Sequence, residues 1–211
     1  MLAVMDTYSN DYVTAIDVNM AVDRDGHVNI SAPSVGLNRA YHVKDGVTTV
    51  VLNKSIITTN NGTGRTGLLL ESSVDITVRV VVDGTWGAVQ EGYLALPIPP
   101  TAPSSYIVAS WEPNFSSNFP SQFLIVSAAD NTTVIITDVT RQQIASQSIV
   151  LNKFDTYQML LQHVDPSGIL MSHVVRKWAF GHMQTAKLQA SLHIRAVSPE
   201  ALLFAVTCSR H

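Results

Sequence analysis

The sequence predicts an all-β protein with little helix, made of two repeated β-sandwich-like halves of short antiparallel strands. Three observations lead to this fold class. Charged residues are only 14% of the 211-residue chain while hydrophobic residues are 46%, a balance that suits sheets better than solvent-exposed helices. Apolar and polar residues alternate over most of the chain, as in half-buried strands. Gly, Asn, Asp and Pro interrupt the alternation at short intervals, as they do in β-sandwiches.

The alternation is clearest in five segments, which we predict to be strands. They are HVNIS (27–31), GVTTVVL (46–52), VDITVRVVV (74–82), SQFLIV (121–126) and TVIIT (133–137). Turn dipeptides such as Asp45-Gly46 and Asp83-Gly84 separate the predicted strands. Residues 198–206 (SPEALLFAV) suit a capped helix and a last strand equally well.

The same order of segments occurs twice along the chain. MAVDRDGHVNIS (20–31) and SAADNTTVIIT (127–137) each predict a strand, a tight hairpin turn and a second strand. When Val28 is aligned with Val134, later segments also correspond: residues 42–52 with 149–159, and residues 68–78 with 170–180. The alternative is chance similarity between two β-rich stretches.

The repeat predicts how the chain is divided. Residues 1–95 form the first β repeat and residues 106–211 the second. Residues 96–105 (LPIPPTAPSS) are the most proline-rich segment and predict a stiff linker between the repeats. Together the repeats would form one module, which we expect to be a fragment of a longer chain.

Charge and hydrophobicity exclude two classes of partner. The formal net charge is −3, and no cluster of Lys and Arg provides the basic surface that nucleic acid requires. No apolar run approaches the length of a membrane span. The N-terminal residues have no basic segment followed by an apolar core, so we expect no signal peptide in this chain.

Three patterns resemble functional motifs, and each fits a loop, turn or strand better. GTGRTG (62–67) has dinucleotide-binding spacing, but alternating residues follow where that fold needs a helix; we expect a solvent-exposed hairpin loop. DRDG (23–26) lacks the remaining ligands of a calcium loop and predicts a hairpin turn. The seven histidines form no zinc motif and no close pair in sequence, and His173 and His182 fall on opposite faces of a strand. The sequence thus predicts no catalytic, cofactor or metal site, and no enzyme.

Several phrases, in order, resemble the N-terminal domain family of IgG Fc-binding protein, a mucus and cell-surface glycoprotein. They are VMDTY (4–8), EGYLALP (91–97), YIVASW (106–111), SQFLIVSAADNTTVIIT (121–137) and DPSGILMSHVVRKWAFGH (165–182). The resemblance covers most of the chain. It implies a secreted or extracellular module that works in adhesion, mucus or the extracellular matrix.

The resemblance leads us to expect a non-enzymatic module that binds protein or glycan ligands, with immunoglobulin Fc among the candidates. The phrases identify no ligand-binding residue. The alternative is a purely structural spacer or assembly module in a mucin-like or matrix protein. Exposed loops and strand edges on a rigid β scaffold would make the contacts in the first case.

Five Asn-X-Ser/Thr sequons support passage through a secretory pathway. Their asparagines are Asn29, Asn53, Asn61, Asn114 and Asn131. We expect these side chains to be exposed, at turns or on outward strand faces, and several to carry glycans. Cys208 is the single cysteine, and we expect it to form a disulfide with a residue outside this chain.

Overall fold

β-Strands form nearly all the regular structure in the computed structural model. The structure describes residues 1–5, 13–59, 61–84, 90–95, 105–108, 121–138, 145–161, 167–175 and 190–193. In chain order the strands are β1 (Val4–Met5), β2 (Val13–Val22), β3 (Gly26–Ala32), β4 (Leu37–Val43), β5 (Gly46–Leu52), β6 (Ile57–Thr58), β7 (Gly62–Gly64), β8 (Leu69–Ser72), β9 (Thr77–Gly84), β10 (Gln90–Ala95), β11 (Ser105–Ile107), β12 (Ser121–Ser127), β13 (Thr132–Asp138), β14 (Gln147–Leu151), β15 (Thr156–Leu161), β16 (Ile169–Val175) and β17 (Ala190–His193). The predicted all-β fold class is confirmed.

Helical structure in the described residues is limited to two 3₁₀ turns. They lie at Pro33–Val35 and Lys54–Ile56. Within the described ranges, no helix has the length and apolar character needed to cross a membrane. Residues 198–206, which suit a helix or a strand, lie outside the described residues.

The chain divides into two compact units. Unit 1 contains Met1–Thr59 and Arg65–Pro97, and unit 2 contains Asn60–Gly64 and Ile98–His211. Each unit has its own sheets and its own buried apolar cluster. The domain boundaries that the sequence suggests, with a linker at residues 96–105, stay a prediction because residues 96–104 lie outside the described part.

Unit 1 is a β-sandwich of two antiparallel sheets. Their strand orders are β10-β9-β2-β5 and β4-β3-β8, and β1 and β6 form a short parallel pair. Ile16, Val18 and Met20 of β2 belong to the same buried cluster as Val28 and Ile30 of β3. Because β2 and β3 lie in different sheets, this cluster is the core between the two sheets.

Unit 2 is also a β-sandwich, built from other strands. Its sheets have the orders β11-β16-β13-β14 and β17-β12-β15-β7. Phe123 and Ile125 of β12 and Val134 and Ile136 of β13 belong to one buried cluster, although the two strands lie in different sheets. The core of unit 2 therefore also lies between its sheets.

Corresponding strands have the same neighbours in the two units. The order β4-β3-β8 corresponds to β14-β13-β16, and β9-β2-β5 corresponds to β17-β12-β15. This correspondence follows the alignment of Val28 with Val134. The internal repeat itself stays a prediction, because a shared strand order does not by itself establish a duplication.

The two turns predicted as hairpins connect different sheets instead. β2 pairs with β5 and β9, whereas β3 pairs with β4 and β8, so residues 23–25 cross between sheets. The connection from β12 to β13 also crosses between sheets. The hairpin predictions for DRDG and for SAADNTTVIIT were therefore wrong. Both flanking strands carry alternating apolar residues, and facing each other across the core buries both apolar faces, which side-by-side pairing would not do.

The segment GTGRTG is not a hairpin loop either. Gly62–Gly64 forms β7, which pairs antiparallel with β15 so that Thr63 lies opposite Tyr157. Gly67 is buried. Gly62 has a φ of +108°, a conformation that glycine adopts readily and other residues rarely do. The glycines thus allow the chain to enter an edge strand of unit 2.

One aspartate in each unit joins two neighbouring turns. In unit 1, Asp25 Oδ1 accepts a hydrogen bond from the backbone N–H of Asp45 at 3.0 Å. In unit 2, Asp130 Oδ1 accepts one from the backbone N–H of Lys153, also at 3.0 Å. The Asp25 carboxylate thus links the β2–β3 connection to the β4–β5 connection. The Asp130 carboxylate links the β12–β13 connection to the β14–β15 connection. The acidic residue of the DNTT segment therefore has a structural role in the turn.

Gly26 is expected to be intolerant of a side chain. A Cβ atom at this position would lie 2.7 Å from Cγ2 and 2.9 Å from Cγ1 of Val74, and a β-branched side chain cannot rotate away easily. Gly26→Ala should therefore lower the free energy of unfolding by about 1–3 kcal/mol in urea denaturation. The double variant Gly26→Ala/Val74→Ala should cost less than the sum of the single changes, and strict additivity would show that the predicted clash is absent.

Candidate binding surface

One outer sheet face of unit 2 carries no charge on its described side chains. It belongs to the sheet β11-β16-β13-β14 and is called the uncharged face below. Its described side chains are Ser105, Ile107, Thr133, Ile135, Thr137, Ser148, Val150, Leu170 and Ser172. Alternation along each strand places these residues outward, because their neighbours along the chain point into the core.

The strand register arranges the uncharged face in rows. Ile107 lies opposite Leu170, which lies opposite Thr137. The next row places Ile135 between Ser148 and Ser172. Residues paired in this way point to the same side of a sheet. The rows therefore form one continuous surface of aliphatic groups and hydroxyls.

Three aliphatic side chains of the uncharged face are exposed to solvent. Val150 is 60% exposed and Ile107 is 59% exposed, and Ile135 is also exposed. The hydroxyls of Thr137 and Ser146 lie 3.3 Å apart and form a hydrogen bond at one margin. The surface can thus offer van der Waals contact and hydroxyl hydrogen bonds, but no ion pairs from its described side chains.

The corresponding sheet of unit 1, β4-β3-β8, has a polar outer face instead. Asn29 Nδ2 donates hydrogen bonds to Asn38 Oδ1 at 3.3 Å and to Ser31 Oγ at 3.4 Å. His27 and His42 face each other across β3 and β4 with ring centroids 5.1 Å apart. The histidines are fifteen positions apart in sequence, so only strand pairing reveals this contact. Equivalent sheets of the two units therefore differ in surface chemistry.

The second sheet of unit 2 has buried side chains on both faces. Phe123 and Ile125 belong to the core, and the alternate residues Leu124 and Val126 are also fully buried. On that second face, Gln158 Nε2 donates a hydrogen bond to Gln122 Oε1 at 2.6 Å. Alternation along β12 predicted a half-buried strand, and this prediction was wrong.

Two tyrosines, one in each unit, have a raised pKa. Burial raises the pKa of Tyr106, which lies on β11 next to Ile107. Burial also raises the pKa of Tyr93 far above its usual range, and the Tyr93 hydroxyl donates a hydrogen bond to the carbonyl oxygen of Ala3 at 2.9 Å. Desolvation disfavours the phenolate, so both side chains are neutral at physiological pH.

The strands of the uncharged face lie within residues 105–175. A protein-family model covers all of this stretch, with a match over residues 91–177. The matching model describes the family IgGFc binding protein. The resemblance inferred from the sequence is therefore confirmed for these residues. No curated protein and no solved structure matches the chain.

The IgGFc binding protein match contains YIVASW (106–111) and SQFLIVSAADNTTVIIT (121–137), and it covers residues 165–177 of the last phrase that carried the resemblance. Residues 121–137 form β12, the connection between sheets and most of β13. The segment EGYLALP begins in β10, which belongs to unit 1. VMDTY lies before the matched residues.

The described sequon asparagines differ in exposure. Asn53, Asn61 and Asn131 are exposed, as expected, whereas Asn29 is half-buried. Asn29 was predicted to be exposed, and its hydrogen bonds to Asn38 and Ser31 account for the difference. Asn114 lies outside the described residues. Attachment of glycans to any of the five stays a prediction.

Other candidate residues are placed only in part. Among the described residues, no three or more His, Cys, Asp and Glu side chains come together as a metal site. His173 lies in β16, and His182 and Cys208 lie outside the described residues.

Proposed function

We propose that this chain is a non-enzymatic, extracellular binding module that recognises protein or glycan ligands through the uncharged face. The observation that carries the proposal is that this exposed, charge-free face lies within the residues that match IgGFc binding protein. Immunoglobulin Fc is one candidate ligand. A structural spacer is the alternative that the experiment below distinguishes.

The chemistry of the uncharged face suits a binding surface. The centres of protein interfaces are depleted of charged residues, since each buried charge must be desolvated. Val150, Ile107 and Ile135 offer aliphatic area, and the surrounding Ser and Thr hydroxyls can donate and accept hydrogen bonds to a glycan or a peptide backbone. A hydrogen-bonded sheet also holds these groups rigidly, so little conformational entropy is lost on binding.

The same residue types favour binding over catalysis. Serine, threonine and aliphatic side chains supply no general acid or base that titrates near neutral pH. The described side chains of the uncharged face therefore suit binding of a ligand without chemical conversion.

Secretion and glycosylation belong to the same proposal. The exposed positions of Asn53, Asn61 and Asn131 would leave room for glycans during passage through a secretory pathway. Cys208 would then pair with a cysteine in another part of a longer parent chain.

The test measures binding by the full chain secreted from eukaryotic cells. Surface plasmon resonance with immobilised IgG Fc and with mucin-type glycopeptides should detect a complex in at least one case. Ile107→Asp and Val150→Asp should each weaken that complex at least about tenfold, because a charge would have to be buried in the interface.

The matched control is Leu94→Asp on unit 1. Leu94 is 56% exposed, a fraction similar to the 59% of Ile107. It does not belong to the uncharged face. This change should leave binding unaltered. Equal losses in all three variants would place the contact elsewhere, and the absence of any complex would favour the spacer.

A further inference from the structure

Strand β5 forms one end of its sheet in unit 1. It is seven residues long and pairs with β2 along its whole length, from Gly46 opposite Val22 to Leu52 opposite Ile16. Among the described residues, no strand pairs with its other edge. The backbone groups along that edge can therefore accept a further strand.

The corresponding strand of unit 2 has a partner on this edge. β15 takes the place of β5 in the order β17-β12-β15, and Gly62–Gly64 pairs with it as β7. The chain thus covers one of two corresponding edges with an extended segment. This comparison shows which kind of partner such an edge accepts, namely an antiparallel extended strand.

The residues of β5 lack the features that protect exposed edges from pairing. Natural edge strands commonly carry charges, proline or a bulge. β5 has the sequence GVTTVVL, without charge or proline, and its pairing with β2 is uninterrupted. By contrast, the edge strand β4 carries Arg39 and His42.

The outward side chains of β5 are nearly symmetric about Thr49. Val47 is 68% exposed and Val51 is 64% exposed, and Thr49 between them is also exposed. An antiparallel copy of this strand centred on Thr49 would place Thr49 opposite Thr49 and Val47 opposite Val51. Threonine pairs and β-branched aliphatic pairs are both favourable between neighbouring strands.

We propose that β5 pairs antiparallel with β5 of a second copy of this chain, about a two-fold axis at Thr49, joining the two β10-β9-β2-β5 sheets. Self-complementary contact about a two-fold axis is the commonest route to a dimer. The contact is small, so it forms a reversible dimer whose population depends on protein concentration. It is independent of the uncharged face and of ligand binding.

Disulfide trapping of the full chain tests the register. In a Cys208→Ser background, which removes the single native cysteine, Thr49→Cys should yield a disulfide-linked dimer under mild oxidation. Opposed residues of antiparallel strands have Cα atoms about 4.5–5.5 Å apart, within disulfide range. Val47→Cys alone should not cross-link, whereas a mixture of the Val47→Cys and Val51→Cys proteins should. Cross-linking of Val47→Cys alone with none at Thr49 would overturn the register.

Sedimentation velocity tests the dimer itself. The unmodified chain should shift from monomer towards dimer as its concentration rises. Val47→Lys/Val51→Lys places like charges opposite each other and should raise the dissociation constant at least about tenfold. Leu94→Lys, an exposed change on β10, should have no such effect. A chain that stays monomeric at all concentrations and does not cross-link would refute the proposal.

Discussion

Phe123→Ala is expected to lower the free energy of unfolding of unit 2 by about 3–5 kcal/mol. Phe123 is fully buried and is among the largest such side chains. It lies on β12 opposite Met159 of β15 and packs in the cluster that joins both sheets of the unit. Removing the ring leaves a cavity that the surrounding strands cannot fill, because each is fixed by its ladder of hydrogen bonds.

Guanidinium denaturation followed by circular dichroism would measure this loss. Hydrogen exchange would show that the loss of stability lies in unit 2, since amides of β12 and β15 should lose protection before those of β2 and β9. Val150→Ala is the control in the same unit, and because Val150 is exposed its effect should stay below about 0.5 kcal/mol. A change below about 1 kcal/mol for Phe123→Ala would contradict a packed core at this position.

Tyr93→Phe is expected to change how the stability of unit 1 depends on alkaline pH. Burial raises the pKa of Tyr93 in the folded protein, whereas in the unfolded chain the hydroxyl titrates near its usual value of about 10. Below pH about 10 both states are protonated and the stabilisation is complete. Above it, only the unfolded chain releases the proton, so stability falls by up to about 1.4 kcal/mol per pH unit from this group.

The order of stability of the unmodified protein and the Tyr93→Phe protein should therefore reverse as pH rises. At neutral pH the Tyr93→Phe protein should be less stable by about 1 kcal/mol, because it loses the hydrogen bond to Ala3. Above pH about 11 the phenylalanine protein should become the more stable of the two. Urea denaturation at several pH values, with tyrosinate absorbance of the folded proteins, would measure this. Parallel pH profiles would show that the Tyr93 hydroxyl titrates normally.

The sequence by itself determined the fold class and many of the strands. GVTTVVL coincides with β5, and HVNIS and TVIIT lie within β3 and β13. Alternation predicts strands because it depends on a local property, namely which side of a strand faces the core. The ordered phrases also identified the family that matches residues 91–177. Alternation also indicates which side chains of β13 point outward, but the uncharged face as a surface requires the pairing of β11, β16, β13 and β14.

Only the tertiary structure decided which strands pair. Alternation is the same whether the next strand lies beside its neighbour or across the core, so the β2–β3 and β12–β13 connections were predicted as hairpins. Pairing between distant segments also brought Gly62–Gly64 to β15 and His27 to His42. The burial of Leu124 and Val126 on the second face of β12 was hidden for the same reason. These features depend on long-range packing, because the apolar faces of two sheets are buried together. The local sequence of a strand does not specify which distant strand it pairs with.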